Sequence, residues 1–134
     1  TATNLIGVIE GLGATFGTQT NISGGCCSDN SPDMAGLAYW ANVNDIRPDV
    51  TGVPKTLGKQ TIQTLWVDVL EKPFVNNNQF YLAAKYGGFT VPDAFNPLTW
   101  TGPLPVEWWS TSGQTVGTQH LLCLGEAERV DLHA

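Results

Sequence analysis

An α/β fold is the architecture this sequence predicts, and three segments between residues 31 and 90 predict it. Behind Ser31 and Pro32, the residues Met34, Leu37, Ala38 and Ala41 recur at helical spacing. Residues 60–70, QTIQTLWVDVL, are rich in Thr, Val, Ile and Trp and read as a strand. Behind Asn78, the run FYLAAKYGG reads as a second helix.

Each element has its own local reasons. Residues 1–30 form a Gly-rich segment in which residues 5–12 are apolar enough for a short helix or strand, although its glycines weaken both. In the first confident helix, residues 32–43, Ser31 can cap, Pro32 suits the first turn, and Asp33 favours the positive end of the helix dipole. Trp40 and Trp66, lying in periodic elements, are expected in the core. Pro48 forces Arg47 out of helical geometry and ends the helix region. Gly52, Pro54 and Gly58 mark a turn-rich connection to the strand, which is expected to be central because both its faces carry apolar residues. The second helix should stop at Gly87 through a left-handed cap. Residues 91–119 form a Pro/Trp-rich loop with Pro92, Pro97, Pro103, Pro105, Trp100, Trp108 and Trp109, and residues 120–134 form an atypical tail. One convincing strand is too few for a sheet, so the 134 residues are either a single domain or a fragment of a larger parent.

Composition narrows the function. Six Lys and Arg against twelve Asp and Glu give a net charge of -6, with the bases dispersed. Nothing neutralises a phosphate backbone, so no nucleic acid is expected as a partner. No run of apolar residues is long enough for a membrane span. Of the three cysteines, Cys26 and Cys27 are adjacent, so a bond from either one to Cys123 is the easier geometry and leaves one thiol over. Neither His120 nor His133 stands at metal-ligand spacing, and no metal or other cofactor is expected.

Catalytic candidates are few. Neither a nucleophile elbow nor a phosphate loop is present. Asp93 and Glu107 beside the tryptophans have a glycosidase-like look, but carboxylates in a Pro-rich loop more often face solvent. Trp100, Trp108 and Trp109 have two readings: they pin a long loop to the body, or they are contact anchors. From the residues alone the chain is an acidic α/β domain, not an enzyme.

The segments Asp33-Met34-Ala35-Gly36-Leu37-Ala38-Tyr39-Trp40, Asn44-Asp45-Ile46-Arg47-Pro48-Asp49 and Ala83-Ala84-Lys85-Tyr86-Gly87-Gly88-Phe89 carry a family likeness. With Asp93 and the pair Glu107-Trp108 behind them, residues 33–112 resemble the PilC/PilY family of type IV pilus tip proteins. The resemblance implies a piece from the C-terminal part of a von Willebrand factor A-like domain, followed by the Pro/Trp-rich loop. It also implies a non-enzymatic adhesin and assembly factor at the pilus tip or outer-membrane surface, in contact with minor pilins or the surface of a host cell. Export of that kind would favour the disulfide. The family's metal-dependent adhesion motif is absent, since Asp29, Ser31 and Asp33 are better explained by Pro32 and a helix cap. The expected contact surface is the loop over residues 89–112, with Tyr86, Phe89, Trp100, Trp108 and Trp109 as binding residues. The alternative is a secreted carbohydrate-binding module using exposed tryptophans.

Overall fold

The computed structural model of the chain describes residues 1–20, 22, 31–66 and 77–109. Helix α1 spans Ala2–Ile9, α2 spans Asp33–Val43, α3 spans Gln79–Gly88 and α4 spans Val106–Trp109; 3-10 turns cover Phe16–Thr18 and Pro54–Thr56. Among the described residues there is no strand, so the α/β, von Willebrand factor A-like fold expected from sequence is corrected to a helical one.

The glycines of the first segment do not prevent a helix. Thr1 accepts from the Asn4 N–H at 3.2 Å and starts α1. Beyond its end the chain reverses through Gly11 and Gly13, at φ 70° and 104°, a region that favours glycine. The N–H groups of Leu12 and Gly13 donate to the Gly7 carbonyl at 2.7 and 3.1 Å, tying the turn back onto the helix. Phe16 then tucks against the bare backbone of Gly7 and is fully buried.

Helix α2 packs on both α1 and α3. It starts one residue later than the sequence reading, with Pro32 rather than Ser31 at the N-cap and no side-chain cap bond; the Ser31 hydroxyl accepts from the Asp33 N–H at 3.2 Å just ahead of it. Its buried side departs further from that reading. Ala35, Gly36, Ala38, Tyr39, Asn42 and Val43 face the core, whereas Met34 is exposed and Leu37 is 69% exposed. Trp40, expected in the core, is 47% exposed. Close helix approach decides the matter: Gly36 lies against Thr3 of α1 and Ala38 lies against Gly87 of α3, sites where larger side chains would hold the helices apart.

Residues 60–66 lie outside helix and strand; the N–H groups of Gln60, Ile62 and Thr64 turn inward at every second residue, the period of extended backbone, and those of Ile62 and Thr64 go to helices rather than to a sheet. The N–H of Ile62 donates to the Ala41 carbonyl at 2.9 Å and that of Thr64 to the Gly87 carbonyl at 2.8 Å. A β-rich composition specifies extended backbone; the acceptors here are carbonyls of α2 and α3. The segment is a strap across two helices, with Ile62 and Leu65 about half exposed, and not a central strand. Trp66 is only partly buried, its ring 5.7 Å from that of Phe80.

Asn78 caps α3, its side-chain oxygen accepting from the N–H groups of Phe80 and Tyr81 at 2.9 and 3.1 Å. At the other end the expected left-handed cap at Gly87 is absent: Gly87 and Gly88 are helical, and Phe89 follows in extended conformation. The buried Asn42 side chain instead donates to the Tyr86 and Phe89 carbonyls at 3.4 and 2.9 Å. Gly87 is required by space. A Cβ there would lie 2.7 Å from Thr64 Cβ and 2.8 Å from Ala38 Cβ.

Candidate functional site

The Pro-rich segment behind α3 is held by short-range hydrogen bonds. The Phe95 N–H donates to the Pro92 carbonyl at 2.9 Å, that of Trp100 to the Asn96 carbonyl at 3.1 Å, and that of Trp108 to the Pro105 carbonyl at 3.0 Å. A longer link runs from the Thr90 N–H to the Trp108 carbonyl at 2.7 Å, closing the segment on itself. The Tyr39 hydroxyl of α2 donates to the Pro97 carbonyl at 3.3 Å and anchors it to the body.

This frame gathers rings that are distant in sequence. Trp100 and Trp108 lie 5.3 Å apart between centroids, and Phe95 sits 5.5 Å from Trp100 and 6.0 Å from Trp108. Phe89 stacks on Trp108 at 6.4 Å and meets Phe95 edge-on at 5.3 Å. Tyr39 completes the cluster from α2, edge-on to Tyr86 at 5.5 Å. Such pairs contribute roughly 0.5–1.5 kcal/mol each beyond the area they bury. Phe95, Trp100 and Trp108 remain partly open to solvent, while Tyr86 and Phe89 are fully buried beneath them. The Trp100 Nε1–H is buried and has no acceptor among the described residues.

A second cluster lies behind the first. Lys85 Nζ donates to Glu10 Oε1 at 2.6 Å, and the Tyr86 hydroxyl donates to the same oxygen at 2.5 Å. The Lys85 ammonium also stands 4.5 Å from the Trp109 ring centroid and 5.7 Å from those of Tyr81 and Tyr86. Trp109, nearly buried, donates its Nε1–H to the Leu104 carbonyl at 3.2 Å. Burial raises the Tyr86 hydroxyl pKa strongly, and the Glu10 carboxylate beside it raises it further. Burial alone pushes Tyr39 up to about 12. A lysine inside an otherwise apolar helix was the sequence signal for this cluster, but its partner lies 75 positions away.

The structure thus divides the five expected contact residues. Trp100 and Trp108 reach the surface; Tyr86, Phe89 and Trp109 form the packing beneath. Cys26, Cys27, Cys123, His120 and His133 lie outside the described residues. Asp93 and Glu107 are exposed. Asp45 does not pair with the Arg47 guanidinium; it accepts from the backbone N–H groups of Arg47 and Gln60, both at 3.1 Å. Among the described residues no group of three His, Cys, Asp or Glu is placed to hold a metal ion. No described helix is long and apolar enough to cross a membrane. What the arrangement can do is offer an aromatic surface on a rigid base. Sequence reasoning missed a second such place, an apolar cleft of about 360 Å³ where Trp40 meets Leu5, Val8, Val43 and Leu98.

No family model matches the chain, and no solved structure matches it. The chain is similar to a type IV pilus biogenesis factor PilY1 homolog of Xylella fastidiosa (strain Temecula1), with 42% identity over 92 residues. The match takes in 66% of this chain and spans only 7% of that relative's length. Over this partial segment, the chain is related to the PilY1 type IV pilus biogenesis factors.

Proposed function

We propose that the chain is a non-enzymatic contact module of a type IV pilus tip adhesin and assembly factor, working outside the cell at the pilus tip or outer-membrane surface. The identity to a protein named as a pilus biogenesis factor carries this reading. The aromatic cluster supplies the surface: Trp100 and Trp108, backed by Phe89 and Phe95, are rigid, amphipathic groups of the kind that dominate protein contacts. The partners are minor pilins in the first place and a host-cell surface in the second. Tyr86, Phe89 and Trp109 act by holding the surface rather than by touching the partner.

The test is equilibrium binding of the full chain to purified minor pilins, with Trp100→Ala and Trp108→Ala in parallel and a panel of soluble glycans as the control arm. Saturable pilin binding weakened about tenfold by either substitution, on the order of 1.4 kcal/mol, is the expected result. Glycan-induced quenching of tryptophan fluorescence without pilin binding would replace this reading by a carbohydrate-binding module.

A further inference from the structure

The strap over residues 60–66 has two edges, and one of them is used. Gln60, Ile62 and Thr64 direct backbone groups inward: the Gln60 N–H to Asp45, its carbonyl to the Ile46 N–H, and the Ile62 and Thr64 N–H groups to carbonyls of α2 and α3. Among the described residues, the alternate positions Thr61, Gln63 and Leu65 make no backbone hydrogen bond. In extended backbone the N–H and C=O of one residue share a side, so these three present a row of alternating donors and acceptors. The same three residues line a cleft of about 650 Å³, whose opposite wall is Thr90, Val91 and Pro92. Edge strands are normally blunted by charge or proline, yet residues 60–66 contain neither.

We infer that the outward edge of residues 61–65 receives an extended peptide segment of a partner protein, which adds to it as a β-strand. A row of alternating partial charges at strand spacing is complemented by another extended backbone. Five residues in that form span about 17 Å, a length suited to a groove between two chain segments. The enclosing wall at Thr90–Pro92 makes the cleft a slot for one strand rather than an open face for a second whole copy. Its two charged lining residues, Lys59 and Asp93, have opposite sign and join no ion pair among the described residues, so the slot suits a peptide of little net charge. Backbone pairing gives affinity here, and Phe95, partly open to solvent in the same cleft, selects side chains.

The probe is a phage-displayed library of random heptapeptides, selected on the full chain and followed by synthesis of the enriched sequences. N-methylation at every second peptide residue should abolish binding in one register and leave it intact in the other. Gln63→Pro removes one outward N–H and no inward bond, and Ile62 before it is already extended, as a residue preceding proline prefers. This variant should keep the unfolding midpoint and lose at least about tenfold in peptide affinity. An unfolded variant is separated by Gln63→Ala, which keeps the N–H and should bind as the parent does. Failure to enrich any peptide, or binding indifferent to both N-methylation and Gln63→Pro, would overturn the inference. So would a concentration-dependent dimer that Gln63→Pro converts to monomer, since a second copy would then hold the edge.

Discussion

At Gly87 two helices and the strap meet with no room for a methyl group. A Cβ there would fall 2.7 Å from Thr64 and 2.8 Å from Ala38, neither being the free end of a long side chain. We expect Gly87→Ala to lower stability by about 1–3 kcal/mol in urea unfolding, and Gly87→Val by more. Sequence pointed to the right residue for the wrong reason. A Gly-Gly pair behind a helical run is the usual sign of a left-handed stop, and crowding by a segment 23 positions upstream leaves no mark in the local pattern. The Glu10–Lys85 pair is a second residue-scale test. With both side chains largely buried, Glu10→Gln should cost about 2–4 kcal/mol by leaving the ammonium uncompensated. Adding Lys85→Met should recover part of that loss, measured by a double-mutant cycle. The tyrosines give a pH test. Tyr39 keeps its proton until about 12 in the fold against 10.0 ordinarily, and the shift of Tyr86 has the same sign. The unfolded chain therefore releases these protons first, so this stability is complete below pH 10 and is lost as pH rises from about 10 to 12. Thermal melts across that range should fall steadily, and Tyr39→Phe should flatten part of the fall.

At the scale of elements, helix starts were more legible than helix faces or stops. Asn78 supplies a capping oxygen and the start of α2 falls within one residue of Ser31-Pro32, because the contacts at a helix start join near neighbours. The buried side of α2 was not legible. Apolar periodicity selects Met34 and Leu37, but the side that packs is the one where Gly36 and Ala38 let α1 and α3 approach. The strap was half legible: Thr, Ile and Trp dictate extended backbone, whereas the choice between a sheet and two helix ends belongs to tertiary structure. Its inward bonds can be tested one at a time. Thr64→Pro removes the donor to the Gly87 carbonyl and should cost about 1–3 kcal/mol in the unfolding midpoint. The same substitution one residue earlier, at Gln63, should cost far less.

At the scale of the whole molecule, the described residues pack α2 between α1 and α3 and hold an aromatic segment against them through Tyr39 and Asn42. The tryptophans of residues 91–109 were legible as a group: Trp109 pins the segment to the body, as one reading expected, and Trp100 and Trp108 stay partly open at its surface, where the contact reading is a matter for the binding test. What the sequence could not reveal was the base beneath them, since Tyr39, Phe89 and Phe95 come together only after α2 and α3 have packed. The most direct test of the account is therefore the binding of purified minor pilins to the full chain, with near-ultraviolet circular dichroism recorded on the same samples. We expect an ordered tryptophan spectrum and saturable binding that Trp100→Ala weakens about tenfold while the variant, although less stable, stays folded at the assay temperature. An equally ordered chain that binds neither minor pilins nor a host-cell surface would contradict it.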